Sequence, residues 1–293
     1  MEDQPRESNQ EQININDPTQ REKFFWYIKQ AHQMGVPKEK IIKRFSELGW
    51  PIDFIIESLE KLSPYKENIM IAINDLTKVY ESEDNSQIVL KNINLEIHEG
   101  EFVAITGHSG AGKTSLLNLI GLLDNPTSGK IFVDGNNICD FSERKKVKFR
   151  LKTVSYIFQF FNLINNFNVL ENIAFQLKIQ GYSHRKALAK SMEIIDFLGM
   201  KERAYYYPHR LSGGEQQRVA IGRALAKDSS IILADEPTAY LDAKNGQAVM
   251  ELFKDINKKF GKTIILVTHE QDFANQAGRV VLMSDGKIVS VRT

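Results

Sequence analysis

The chain has 293 residues, 42% hydrophobic and 26% charged, with 38 Lys and Arg against 37 Asp and Glu and a formal net charge of +1. That length holds one large domain or two unequal ones, and the balanced charge gives no field that would favour nucleic acid or an anionic membrane. The single cysteine, Cys139, excludes an intramolecular disulfide and suits a reducing cytoplasm. No apolar run approaches the roughly 18 residues of a membrane span, and Met1-Glu2-Asp3-Gln4-Pro5 lacks the regions of a signal peptide. The expectation is a soluble chain whose membrane role, if any, requires a separate partner.

Residues 1–16 are polar, without an aromatic, and are predicted to form a disordered tail. Asp17-Pro18 then starts a helix, with Pro at the first helical position, running through Phe24, Phe25, Tyr27 and Ile28 to Met34, with Gly35 as its C-terminal cap. A second helix, Lys38 to Leu48, sets Ile41, Phe45 and Leu48 on one face and stops at Gly49. A third begins at Pro51 and carries Ile52, Ile55, Ile56, Leu59 and Leu62. With Trp26 and Trp50, three such helices over 17–63 can share a very small core. Through Met34-Gly35-Val36-Pro37 and Leu48-Gly49-Trp50 this segment resembles a ubiquitin-associated (UBA)-like three-helix bundle. The resemblance implies a docking, tethering or regulatory module, a passive spacer being the alternative.

Residues 64–70 read as a linker, and from Ile71 the texture changes. Ile71 to Leu76 and Ile88 to Ile97 are strand-like, separated by the polar loop Glu81 to Gln87. Phe102-Val103-Ala104-Ile105 is a short apolar run of the buried-strand kind. It leads into Gly107-His108-Ser109-Gly110-Ala111-Gly112-Lys113-Thr114, the G-x-x-x-x-G-K-[ST] spacing of a phosphate-binding loop. Ser115 to Ile120 follows with helical spacing. A glycine-rich turn can end in Lys-Thr by chance; the strand before it and the helix after it give the spacing its meaning. Glycines let successive N–H groups wrap an anion at a helix N-terminus. Lys113 can reach the β- and γ-phosphates, and the Thr114 hydroxyl can ligate Mg2+.

Lys130 to Gly135 reads as a hairpin strand with an Asp-Gly turn. Residues 142–225 are mainly helical in pattern. Ile231 to Asp235 and Thr263 to Thr268 are buried strands with a helix near Ala243 to Lys259 between them, the arrangement of a parallel sheet. Val280 to Met283 and Lys287 to Ser290 form a hairpin about Asp285-Gly286. Asp235-Glu236 ends an apolar strand in two carboxylates, suited to a Mg2+ shell and to a base for water.

Leu211-Ser212-Gly213-Gly214-Glu215-Gln216 starts another helix, and its amides with the Ser212 hydroxyl form a second anion cradle. With that stretch, residues 71–293 resemble the ATP-binding-cassette (ABC) family. The fold implied is α/β, a P-loop NTPase cassette with a mixed sheet core and a helical lobe near 142–225, preceded by the small bundle. The resemblance implies ATP and Mg2+ as cofactors and a head-to-tail dimer in which the Ser212 turn meets ATP held by the second copy. It implies Glu236 as the residue acting on water, His269 as the switch histidine, and Gln159 as the glutamine that joins core to lobe and ligates Mg2+. It implies Tyr80 as the aromatic that stacks on adenine. Ala239-Tyr240 stands where relatives often have small polar residues, which bears on the dimer contacts.

Leu116 to Gly129 and Phe158 to Ile173 look like the lipoprotein-release and macrolide-export branch. That likeness implies an ATPase at the cytoplasmic face of the cell membrane, powering an integral permease of the FtsX/MacB-like type docked near Gln159. A soluble cassette acting on ribosome or DNA is the alternative; such proteins carry two cassettes or a long coiled coil, and this chain shows neither. A further reading makes the N-terminal bundle a recruiting module.

Overall fold

Residues 17–33, 36, 38–62, 68–81 and 86–292 are described by a computed structural model. The predicted tail 1–16, the cap at Met34-Gly35, Pro37 and most of the linker lie outside these residues. The chain divides into two packed units, Met1–Glu67 and Asn68–Thr293.

In the first unit, Asp17 caps α1 (Pro18–Gln33), its carboxylate accepting from Thr19 N at 2.8 Å. α2 (Lys38–Glu47) closes through Gly49 N to Ser46 O and Trp50 N to Phe45 O, and α3 (Ile52–Leu62) follows. Phe24, Ile28, Ile41, Trp50, Ile55 and Leu59 form the core. Phe24 stacks on Trp50 with centroids 4.1 Å apart, and Phe45 and Phe54 close round it. The sequence reading placed Trp26 in this core and Leu48 on one face with Ile41 and Phe45, but both are exposed, as is Ile52 of α3. One turn of helix brings Phe24 and Ile28 to the same side, and Trp26 falls half a turn round from it. Leu48 lies beyond the end of α2, in the turn.

In the second unit, β1 (Ile69–Glu81) pairs antiparallel with β2 (Ser86–His98) and with β4 (Ser128–Val133), and a two-residue β5 (Asn136–Asn137) completes this sheet. The second sheet has six strands in the order β10-β9-β3-β8-β7-β6. Its members are β3 (Phe102–Thr106), β6 (Val154–Ile157), β7 (Ile231–Asp235), β8 (Thr263–Val267), β9 (Arg279–Ser284) and β10 (Lys287–Arg292). All neighbours are parallel except β9 and β10. The hairpin turns Asp134-Gly135 and Asp285-Gly286 have positive φ at both residues, the geometry that suits the strand twist.

β3, β7 and β8 are buried along their whole length and serve two cores with alternate residues. Val103, Ile105, Ile231, Leu233, Ile265 and Val267 face a core shared with the antiparallel sheet and α4 (Lys113–Ile120). Phe102, Ile232, Ala234, Ile264 and Leu266 face a core shared with α6 (Val169–Ile179), α7 (His184–Phe197), α8 (Gly213–Ala226) and α9 (Ala243–Phe260). Such two-sided burial is why these strands read as continuous apolar runs. Within the stretch read as helical, α5 (Glu143–Lys152) is followed by β6, an edge strand of the main sheet. Four residues with Ser and Tyr among them carry too little periodicity to announce a strand.

Phe24→Ala should cost the first unit ~3–5 kcal/mol, as much as so small a core supplies. Hydrogen exchange would register this as lost protection across α1–α3. Protection equal to the parent's would mean that the Phe24 stack is not what holds the three helices.

Candidate nucleotide-binding site

The parallel strands deliver their C-terminal ends to one edge of the sheet, where open α/β sheets bind ligands. β3 runs into Gly107–Gly112 and then α4; β7 ends at Asp235; β8 ends just before Thr268 and His269. Gly107 and Gly112 both have positive φ. A Cβ on Gly107 would sit 2.2 Å from the Met283 carbonyl oxygen, and one on Gly112 2.8 Å from that of Val89. These two glycines therefore let the loop nest against β9 and β2, rather than only clearing room for an anion as expected. The turn of the β9–β10 hairpin supports the loop from behind, with Gly286 N donating to Ala111 O at 3.2 Å.

A cleft of about 400 Å³ opens in front of the loop. Ser109, Gly110, Gly112, Lys113, Thr114, Ser115, Gln159 and Glu236 line it, together with Gln87 and Val89 of β2. Lys113 is buried and donates to the Gly107 and His108 carbonyls, both at 2.9 Å. The Thr114 hydroxyl donates to Asp235 Oδ1 at 3.1 Å, joining α4 to β7. Asp235 is 9% exposed. Burial first, and the neighbouring Glu236 charge, push its carboxyl above the ordinary range, against the Thr114 bond and Lys113. Glu236 holds φ 44°, while its N–H continues the ladder to Val267 O at 2.9 Å. That uncommon backbone for a non-glycine residue accompanies a side chain that faces the cleft. His269 Nδ1 lies 3.1 Å from Glu236 Oε2.

Other expected residues stand off the cleft. Gly107 and Ala111 do not line it, and His108 points to the β9–β10 turn, its Nε2 3.4 Å from Ser284 Oγ and 3.7 Å from Asp285 Oδ1. Ser212, Gly213 and Gly214 do not line it either. Ser212 caps α8 in a reciprocal box: its N–H and hydroxyl bond Glu215 Oε2 at 2.8 and 3.0 Å, and its oxygen accepts from Glu215 N at 3.3 Å. Although partial burial pulls the other way, those bonds and Arg203 hold the Glu215 carboxyl below its usual range. Tyr80 is half exposed on β1, directly across from Gln87 in the strand register. Tyr240 is exposed and stacks on Phe160, centroids 5.3 Å apart.

Sequence reasoning passed over Gln87, Val89, Asn172 and Arg223. Gln87 and Val89 reach the cleft as alternate residues of β2, a signal that needs the strand register to be read. Asn172, fully buried on α6, bonds the carbonyls of Ile164, Phe167 and Asn168 and accepts from Ile164 N. Arg223 of α8 donates to the carbonyls of Phe161 at 3.1 Å and Asn162 at 2.6 Å. Together these two side chains pin the loop that follows Gln159.

A mixed sheet carrying a phosphate loop, a strand-end carboxylate pair and a capped Ser-Gly-Gly helix start defines a P-loop nucleotide-binding cassette. A family model described as "ABC transporter" matches residues 90–239. The uncharacterized ABC transporter ATP-binding protein MJ1508 of Methanocaldococcus jannaschii is 45% identical over 224 residues, 76% of this chain and 99% of that protein. The lipoprotein-releasing system ATP-binding protein LolD of Bacteroides fragilis is 44% identical over 220 residues, covering 75% of this chain and all of that one. Among solved structures, the dimeric post-hydrolysis state of the cassette MJ0796 bound to ADP and Pi aligns with a TM-score of 0.71 at 38% identity, over 76% of this chain and 98% of that chain. The chain belongs to the ABC transporter family, as a LolD-like, ATP-hydrolysing cassette subunit. Among the described residues, no helix is long and apolar enough to cross a membrane.

Because the folded pKa of Asp235 lies above its unfolded value, its ionised form costs stability above that pH window, and stability rises as pH falls through it. Asp235→Asn keeps an oxygen for Thr114 and should raise the thermal midpoint at pH 7, the gain shrinking toward acid pH. Calorimetry across pH checks this; a lower midpoint for the variant at pH 7 would reverse the sign.

Proposed function

We propose that two copies of this chain associate head to tail, so that ATP lies between the phosphate loop of one copy and the Ser212-Gly213-Gly214 turn of the other. The observation that carries this reading is the position of that turn: a capped helix start with orphan amides and an exposed Ser212, yet off the cleft of its own chain. Lys113 would exchange the Gly107 and His108 carbonyls for the β- and γ-phosphates. Glu236 would orient and deprotonate the attacking water, with His269 holding the carboxylate. Tyr80 would stack on adenine at the outer end of the cleft.

The Thr114 hydroxyl, the Asp235 carboxylate and the Gln159 amide oxygen are hard oxygen donors of the kind Mg2+ takes. When bound, the ion would supply positive charge against the β- and γ-phosphates.

The work would be delivered to an integral permease of the FtsX/MacB-like type at the cytoplasmic face of the membrane, docked near the Gln159 loop. Relatives named as lipoprotein-releasing components support that direction. The first unit, for which the matched relatives leave about a quarter of the chain, would serve as a separately folded recruiting module.

Glu236→Gln should lower ATP turnover by about 10²–10⁴-fold, the range for losing a general base, while the ATP-bound protein accumulates as a dimer in light scattering. Adding Ser212→Arg should return it to the monomer. Turnover close to the parent's in Glu236→Gln would remove that residue from its role, and a persisting dimer with Ser212→Arg would remove the head-to-tail arrangement.

A further inference from the structure

Tyr80 sits in a set of polar contacts that a stacking ring alone does not require. Its hydroxyl donates to Asp124 Oδ2 at 2.8 Å. The other carboxylate oxygen of Asp124 accepts from Lys78 Nζ at 2.8 Å. That ammonium also bonds the Asn125 carbonyl at 2.7 Å and lies 4.6 Å from the centroid of the Tyr80 ring. Lys78 is 9% exposed, so its charge is partnered where water scarcely reaches. Burial first, then Asp124, raise the Tyr80 phenol. Although burial opposes it, Lys78 and Tyr80 hold the Asp124 carboxyl low. The phenol is thus a donor and the carboxylate an acceptor at neutral pH. The segment carrying Asp124 is itself tied to β1: Val79 N donates to Thr127 Oγ1 at 2.9 Å and Thr127 N to Thr77 O at 3.0 Å.

The ring is therefore held at two points. A cation covers one of its faces. Its hydroxyl is fixed to the loop after α4, the helix that begins with Lys113 and Thr114, and that loop is bonded back to α4 through Leu123 N to Asn118 O at 2.9 Å. We infer that Asp124 and Lys78 are positioning residues for the nucleotide base: acting through the Tyr80 hydroxyl, they set the distance between the stacking ring and the phosphate loop. Base and triphosphate then meet one preorganised frame, and affinity is gained by not having to order the ring on binding. The inference rests on reading Tyr80 as the base platform.

Equilibrium binding of ATP and of inorganic tripolyphosphate, which has no base, to the full-length protein tests it. Tyr80→Phe keeps the ring and leaves the Lys78–Asp124 pair intact. It should weaken ATP about tenfold, the factor that one net hydrogen bond corresponds to, and leave tripolyphosphate unchanged. Asp124→Ala should act in the same direction, and the double variant should bind ATP no more weakly than the weaker single, since both remove one linkage. Removing Asp124 strands the Lys78 charge, so thermal unfolding accompanies that variant and Tyr80→Phe carries the decision. Wild-type ATP affinity in Tyr80→Phe, or an equal loss for tripolyphosphate, overturns the inference. Tyr80→Ala separates the two layers: a loss there but none in Tyr80→Phe leaves the base platform standing without its positioning network, and no loss in either removes the platform itself.

Discussion

The carboxylate of Asp235 is nearly out of water at the end of a fully buried strand, and the local structure is arranged round that charge. An isolated ion there is expensive, and its raised pKa records the residual penalty after Thr114 and Lys113 have acted on it. A buried acid pressed against the start of a helix, with a lysine close by, is a site held ready for positive charge. The Thr114–Asp235 bond also joins two elements separated by most of the cassette, so the phosphate loop and the carboxylate pair are a single rigid piece.

Around that piece the chain places groups on elements of differing firmness. Glu236 and His269 project from ends of central strands, which alternate residues into two cores and do not shift easily. Gln159 lies on a loop between the edge strand β6 and α6, pinned by Asn172 and Arg223 through its backbone groups. Since Arg223 belongs to the helix that opens at Ser212, movement of α8 is transmitted to the Gln159 loop by two hydrogen bonds. The stacked Phe160 and Tyr240 add a contact between that loop and the segment before α9.

What could be read from the residues alone were the features contained in one short stretch. The Gly107–Thr114 loop, the Asp235-Glu236 pair, both Asp-Gly turns and α9 are each written in consecutive or periodic residues, and each is where its spacing put it. Features that depend on register or on neighbours distant in sequence were hidden. β6 has four residues and no alternation, so its place in the sheet comes from β7 beside it. Gln87 reaches the cleft through the register of β2, alternate with Val89, and the demand for glycine at 107 comes from a carbonyl at Met283. Trp26 shows the converse limit: a large apolar residue next to core residues is not thereby inside.

The order of the main sheet has a bearing on how the molecule is made. β3, which carries the phosphate loop, lies between β8 and β9, and the loop leans on the turn at Gly286. Every one of those supports is translated long after the loop itself. A nascent chain stalled before β8 would display Gly107–Thr114 against β2 alone, so during synthesis the full bracing of the triphosphate cradle waits for the β9–β10 hairpin.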